Sequence, residues 1–175
     1  MEESIHKLIE GFRSFHNTWF AGDSELFDKL RHGQHPRACV ISCSDSRVDP
    51  AIVLDTDPGD LFVIRNVANL VPPYEPDTRH HGVSAALEYA VTELGIGHLI
   101  LLGHSDCGGI KALMRRSAEE PAGQFLDPWL DLAEPAKLAV NASMTESPET
   151  TRCRACEEAS LILGLENLLT FPWVR

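Results

Sequence analysis

Three residues that could bind a metal lie in two short turns of the sequence. Cys43 follows the apolar run "CVIS", and His104 and Cys107 lie in the turn "GHSDCGG". Thiolate and imidazole are ligands that zinc takes in proteins, and two cysteines with one histidine and an open fourth position are typical of a catalytic zinc site. A structural zinc site is usually closed by four protein ligands. On spacing alone, the alternative that these are ordinary core and turn residues stays open.

The residues around this set predict the elements that would bring it together. Apolar runs at 38–42, 59–66 and 98–102 have the length and flanks of buried strands. Helical periodicity predicts helices at 5–15, 23–32, 84–94, from about 109, 128–142 and 152–169. Ser84 is placed to cap the third of these helices. Short strands alternating with helices indicate an α/β fold with helices flanking a parallel sheet.

The parallel sheet explains how distant ligands could meet. Neighbouring parallel strands lie about 4.8 Å apart, and their carboxyl ends open at the same edge of the sheet. Cys43 ends one predicted strand, and His104 and Cys107 follow another. The three side chains can therefore converge on one point.

The composition limits the classes of partner. The chain has 175 residues, of which 43% are hydrophobic, enough for one domain with a real core. With 15 Lys and Arg residues against 26 Asp and Glu residues, the formal charge of −11 would repel nucleic-acid phosphates and anionic membranes. The N-terminal "MEESIHKLIEGF" lacks the pattern of a secretory signal, and no apolar run could span a bilayer. We therefore expect a soluble, cytoplasmic, single-domain protein without nucleic-acid or membrane partners.

The remaining cysteines give weaker signals. Cys39 lies inside an apolar strand and is predicted to be a core residue. Cys153 and Cys156 form "CRAC", whose spacing fits half of a structural zinc site or a redox pair. No partner pair for such a zinc site occurs elsewhere, so two unlinked helix cysteines are the favoured interpretation.

Several stretches together resemble the β-class carbonic anhydrases. They are "CSDSRV" at 43–48, "PGDLFVIRNVANLVPP" at 58–73, "LEYAV" at 87–91, "GHSDCGGIKAL" at 103–113 and "CEEASLILGLENLLTFPWV" at 156–174. The likeness covers most of the chain from about residue 33, and C-x-D-x-R followed at long distance by H-x-x-C is highly specific. The resemblance implies one domain over 1–175, with residues 1–32 as an N-terminal helical arm.

The resemblance also implies an activity. Such a lyase hydrates carbon dioxide reversibly to bicarbonate and a proton, through attack by a zinc-bound hydroxide. One Zn²⁺ per chain would be bound by Cys43, His104 and Cys107. Asp45, held by Arg47, would accept a hydrogen bond from the attacking group or swing to become a fourth ligand in a closed state.

A substrate pocket and an oligomer follow from the same resemblance. Gln34, Phe62, Val67 and Tyr89 match the lining of the family's pocket, and Gly108 would offer its backbone N–H to the bound anion. For Val67 an ordinary core position is nearly as good an interpretation. Because part of this lining comes from a neighbouring subunit in the family, we expect a homodimer or a larger homo-oligomer.

The sequence differs from some or most family members in two respects. One subdivision has a tryptophan three residues before the first ligand cysteine that binds regulatory bicarbonate; Val40 stands here, so the chain resembles the open, non-regulated type. The sequence ends at "TFPWVR", where family members continue into a further strand, so we expect an exposed edge beside the strand before His104. A zinc-binding variant without catalysis and a hydrolase of carbon disulfide or carbonyl sulfide therefore stay open as alternatives.

Overall fold

The fold alternates strands and helices, as the sequence predicts. The computed structural model describes residues 2–20, 25–117 and 122–175. In chain order its elements are α1 (Glu2–Trp19), α2 (Glu25–Leu30), β1 (Ala38–Cys43), α3 (Pro50–Val53), β2 (Leu61–Asn66), α4 (Gly82–Glu88), β3 (Leu99–Leu102), α5 (Gly108–Arg115), α6 (Leu126–Leu130), α7 (Glu134–Ser143) and α8 (Glu149–Leu168). Tighter 3₁₀ turns occupy Val67–Asn69 and Asp131–Ala133, and a wider π turn occupies Tyr89–Glu93.

The chain divides into two compact units, Met1–His35 and Pro36–Arg175. In the first unit, α1 carries apolar side chains at the predicted helical spacing. Every one of them is exposed: Ile5, Leu8, Ile9, Phe12 and Phe15. The first helix is therefore confirmed, whereas one domain over 1–175 with residues 1–32 as its arm stays a prediction.

The second unit contains a parallel three-stranded sheet in the order β2-β1-β3. Helices flank this sheet, which confirms the predicted α/β class. The register pairs Cys43 with Asn66 of β2, and Ser42 with Leu102 of β3. The C-terminal ends of the three strands therefore coincide at one edge of the sheet.

The central strand is more buried than its neighbours. Every residue of β1 is buried, because it has a strand on each side and packed side chains on both faces. On the outer strands, Val63 is 40% exposed and Ile100 is 41% exposed. Within the described residues β3 is an edge strand, as expected.

Helix α8 packs closely on β3 through a glycine. A Cβ added at Gly164 would lie 2.6 Å from Cδ2 of Leu101, so only glycine allows this approach. The thiols of Cys43 and Cys107 belong to an apolar cluster with residues of α5, α6, α7 and α8, among them Ile110, Leu130 and Cys156. The candidate metal ligands therefore stand in the wall of a packed core.

The structure corrects two local predictions. Helix α4 begins at Gly82, after His81, so Ser84 lies inside its first turn and the prediction that it caps the helix is wrong. The helix predicted at 128–142 is instead α6, a 3₁₀ turn and α7, which begins at Glu134 with proline in its first turn. Proline lacks the N–H that would continue the preceding helix, so a new helix starts there. Part of the helix predicted at 23–32 lies outside the described residues.

Within residues 2–20, 25–117 and 122–175, no helix is both long enough and apolar enough to cross a bilayer.

Candidate metal centre

The three predicted ligands lie together at the carboxyl edge of the sheet. Ligand atoms of Cys43, His104 and Cys107 all lie within 4.8 Å of one another, and the two Sγ atoms are 4.0 Å apart. Cys43 ends β1, whereas His104 and Cys107 lie between β3 and α5. Pairing of β1 with β3 is therefore what brings the two segments together.

His104 offers an unused nitrogen to this cluster. Its Nδ1 lies 2.9 Å from the carbonyl oxygen of Ser105, and only a protonated nitrogen can donate there. Its Nε2 is buried and has no hydrogen-bond partner in the described part of the chain. A buried nitrogen with a free lone pair is costly unless an ion or another partner uses it. This orphaned atom indicates a metal ligand.

The two thiols lie within hydrogen-bond distance of each other. Their hydrogen bond lowers the pKa of Cys43. The same interaction raises the pKa of Cys107. Two sulfurs and one imidazole nitrogen fit a zinc ion. The residues present therefore fit the metal that the sequence predicts.

An ion pair lies beside the ligands. The guanidinium of Arg47 donates to both oxygens of Asp45, with Nε–Oδ1 at 2.9 Å and Nη2–Oδ2 at 2.7 Å. These hydrogen bonds hold the pKa of Asp45 well below its usual range, so its carboxylate is ionised at neutral pH. Oδ2 of Asp45 is 4.0 Å from Nε2 of His104. A negative charge therefore stands at the margin of the ligand cluster.

Arg47 also joins the two ligand-bearing segments, which are called here the first segment (residues 43–49) and the second segment (residues 104–107). Its Nη2 donates to the carbonyl oxygen of Asp106 at 3.0 Å, and its Nη1 lies 3.5 Å from Oδ2 of that residue. Asp106 has a φ of 61°, in the left-handed region that costs a non-glycine residue energy. The contact with Arg47 helps to hold this turn.

A further residue of the site, Arg65 on β2, was missed in the sequence. Its guanidinium donates to the carbonyl oxygens of Cys43 at 3.0 Å and Asp45 at 2.7 Å, and to Oδ2 of Asp49 at 2.8 Å. The available signal was a charged residue inside an apolar strand, which must find a partner when it is partly buried. Arg65 thus holds the backbone of the first segment.

The predicted pocket residues are only partly brought together. Val67 and Gly108 lie near the ligands, since Val67 follows the residue paired with Cys43 and Gly108 follows Cys107. Phe62 and Tyr89 contact each other, with ring centroids 6.0 Å apart. Phe62 is paired with Cys39, four residues before Cys43, so this ring pair is about 13 Å along the sheet from the ligands.

The other predicted residues have simpler outcomes. Gln34 belongs to the N-terminal unit, so its role in the pocket stays a prediction. Cys153 and Cys156 are unlinked thiols on α8, as the favoured interpretation had them. Burial raises the pKa of Cys39 to about 11, as suits a core thiol. Among the described residues the ligand cluster above is the only group of three potential metal ligands.

Comparison with known proteins identifies the family. The family model for carbonic anhydrase matches residues 38–175. Beta carbonic anhydrase 3 of Arabidopsis thaliana is 34% identical over an alignment of 175 residues, which covers 99% of this chain and 67% of the relative.

Solved structures agree with this match. The β-carbonic anhydrase CcaA has a TM-score of 0.90 at 35% identity, covering 98% of this chain and 76% of that one. A tetrameric β-carbonic anhydrase of Sordaria macrospora has a TM-score of 0.84 at 30% identity, covering 99% of this chain and 84% of that one. The Coccomyxa enzyme, solved with acetazolamide, has a TM-score of 0.83 at 28% identity, covering 96% and 72%. This chain belongs to the β-carbonic anhydrases, which are lyases.

Proposed function

We propose that this protein catalyses the reversible hydration of carbon dioxide to bicarbonate and a proton, with one Zn²⁺ per chain. The observation that carries the proposal is the convergence of two thiols and an orphaned imidazole nitrogen beside an Asp–Arg ion pair. Cys43, His104 and Cys107 would hold the metal. Bound there, zinc would supply the Lewis acidity that activates water for attack on carbon dioxide.

Asp45 and Arg47 orient the reacting group in this proposal. Asp45 is ionised, so it can only accept a hydrogen bond, and a water or hydroxyl next to it must donate one. That constraint turns the lone pair of the nucleophile toward the substrate. A swing of Asp45 into the ligand shell, giving the closed state, requires loss of its two side-chain bonds from Arg47. The bidentate contact therefore favours the open state.

Gly108 and Val67 flank the ligands in the proposed substrate pocket. Gly108 is the first residue of α5, so its N–H is one of those left without a partner by the helix itself. A developing bicarbonate would accept from this N–H. Val67, which is 40% exposed, would supply an apolar wall.

Gln34, Phe62 and Tyr89 belong to an oligomeric part of the proposal. The Phe62–Tyr89 ring pair stands about 13 Å from the ligands of its own chain, so we assign it to the pocket of a second copy. The exposed apolar side chains of α1 and the tetrameric relative support a homodimer or larger homo-oligomer. Light scattering should give at least two chains per particle, and a monomer at assay concentration would refute this part.

The remaining features concern location and partners. A charge of −11 supports a protein without nucleic-acid or membrane partners. Five unpaired cysteines support a cytoplasmic location, because disulfides form in oxidising compartments. Fractionation of the producing cells would test the location.

Zinc content and stopped-flow carbon dioxide hydration, measured on one preparation, test the function. We expect one zinc per chain and hydration that Asp45→Asn lowers by at least about tenfold, since the variant loses its charge and its acceptor geometry. Asp55→Asn is the control, because Asp55 is exposed on a left-handed turn that asparagine also adopts. Zinc without hydration would indicate a non-catalytic zinc protein. Faster turnover of carbon disulfide or carbonyl sulfide would change the assigned substrate.

A further inference from the structure

Glu157 is a buried acid that the proposed reaction leaves unused. It lies on α8 and is 6% exposed. Carboxylates are rarely buried to this extent unless they are paired and hydrogen-bonded, because loss of hydration is costly. Its nearest cation is Arg154, whose Nη1 is 3.6 Å from Oε2, but Arg154 is half exposed and also bonds Glu158 at 2.9 Å. This ion pair alone does not account for the burial.

The other oxygen of Glu157 accepts a hydrogen bond from a metal-ligand residue. The backbone N–H of Cys107 donates to Oε1 at 2.8 Å, across 50 residues of sequence. Hydrogen bonds from an amide to a carboxylate are charge-assisted and stronger than neutral ones. Glu157 therefore contacts the backbone of the residue whose thiol is the proposed ligand.

A single peptide group is held from both sides. The N–H of Cys107 and the carbonyl of Asp106 belong to the same peptide, and that carbonyl accepts from Nη2 of Arg47 at 3.0 Å. The guanidinium stands at the oxygen and the carboxylate at the N–H, so both charges stabilise the peptide dipole. This peptide follows the left-handed Asp106 and precedes the Cys107 thiol. Its orientation sets the direction in which the thiol points.

Open space beside this peptide increases the importance of its hydrogen bond to Glu157. A cavity of about 360 Å³ lies there, and its lining includes Ser105, Asp106, Lys111, Cys153 and Glu157. The Cys107 side chain is packed in the core, but Asp106, on the other side of the peptide, borders open space. Without the carboxylate, the peptide could rotate away from the geometry that a metal needs.

We propose that Glu157 is a positioning residue of the metal centre, which together with Arg47 fixes the Asp106–Cys107 peptide and so pre-orients the Cys107 sulfur for the metal. This inference rests on the proposed zinc site but not on the hydration reaction. Outer-shell partners of metal ligands typically change metal affinity by about 10–100-fold when they are removed.

Two variants of Glu157 and two matched controls at Glu158 test the inference by zinc affinity, measured by chelator competition on the full chain. Glu157→Ala should lower affinity about 10–100-fold. Glu157→Gln keeps a carbonyl acceptor of the same length, so it should recover most of the affinity, within roughly fivefold of the unmodified protein. Glu158→Ala and Glu158→Gln should leave affinity unchanged, since Glu158 contacts the same Arg154 from an exposed position.

A second readout separates positioning from general stability. The cobalt-substituted protein should show sulfur-to-cobalt charge-transfer absorption that shifts or weakens in Glu157→Ala and is kept in Glu157→Gln. A Glu157→Ala protein with a lower melting temperature, but unchanged zinc affinity and cobalt spectrum, would overturn the inference. So would an equal loss in Glu158→Ala, because the effect would then belong to the charge of α8. If Glu157→Ala does not fold, the decision falls to Glu157→Gln, where a loss of 100-fold or more would refute the acceptor role.

The two proposals fail in different ways. Zinc binding that responds to Glu157 in a protein without hydration activity would refute only the proposed reaction. Hydration with zinc affinity that is indifferent to Glu157 would refute only the positioning role. A protein that binds no metal would refute both.

Discussion

The two ligand-bearing segments are held in place by opposite means. The first segment is fixed through its carbonyl oxygens, which accept from the guanidinium of Arg65 on the adjacent strand. The second segment is fixed through an N–H, which donates to the carboxylate of Glu157 on the distant helix α8. Arg47 contacts both segments. Each half of the centre therefore depends on a charge outside its own sequence motif, and the two charges are of opposite sign.

The largest effect is expected when the thiol of either segment is removed. Cys43→Ala and Cys107→Ala should each lower zinc affinity beyond the roughly 100-fold limit typical of outer-shell partners, since a bond to the metal itself is lost. Chelator competition measures the effect. Cys153→Ala is a matched control, because that thiol is also buried but lies outside the ligand group. An equal loss in the control would mean that cavity formation, rather than ligand loss, weakens binding.

Removing Arg65 tests how the first segment is held. Arg65→Met keeps an unbranched, largely apolar stem but leaves two carbonyls and Asp49 without their donor, so the unfolding free energy should fall by about 2 kcal/mol. Urea denaturation measures the change. Arg79→Met is the control, since Arg79 is exposed and pairs with Asp77, two residues away. Equal urea midpoints for both variants would show that Arg65 contributes no more than a surface arginine.

Gly109 tests the packing beneath the second segment. An added Cβ would lie 2.9 Å from Cβ of Ala68 and 2.9 Å from Cγ1 of Val67, so α5 begins in close contact with the turn after β2. Gly109→Ala should destabilise the protein by about 1–2 kcal/mol, because neighbouring backbone would have to shift. Gly108→Ala, where nothing lies within 4 Å of the new carbon, should leave the melting temperature unchanged or slightly raised. A larger loss of stability in Gly108→Ala than in Gly109→Ala would contradict this description of the packing.

The smallest effect is expected in the loop at residues 77–81, whose ion pairs join residues close together in the sequence. Asp77 contacts His81 at 2.7 Å and Arg79 at 2.6 Å, and these partners hold its pKa well below the usual range. A lowered pKa stabilises the fold above the unfolded value of about 4, and this contribution is lost as the pH falls below it. Asp77→Asn should therefore lower the urea midpoint slightly at pH 7, and the difference from the unmodified protein should shrink by pH 3. A difference between the two urea midpoints that grows as the pH falls would contradict this prediction.

The convergence of the candidate ligands could be predicted from the sequence better than the contacts that support them. Cys43, His104 and Cys107 could be found because each lies at a strand end within a short motif, and parallel pairing brings such ends together. Glu157 could not be found in this way, because its contact depends on how α8 docks against the start of α5. Arg65 depends on strand register, which places it opposite Ser42. A local sequence pattern can reveal residues at strand ends. Helix docking and strand register depend on how the whole core packs, so the contacts that rest on them cannot be found in this way.

The order of the strands in the sheet also bears on when the centre can form during synthesis. The central strand β1 is made first, and β2 follows 18 residues after it, at Leu61. Strand β3, which precedes the other two candidate ligands, starts only at Leu99, and Glu157 of α8 follows Cys107 by 50 residues. A growing chain that has just completed β2 therefore contains only one of the three candidate ligands, Cys43. Uptake of the proposed zinc would follow the long-range pairing of β3 with β1, so the rate at which zinc enters a refolding protein should report on that late, non-local step.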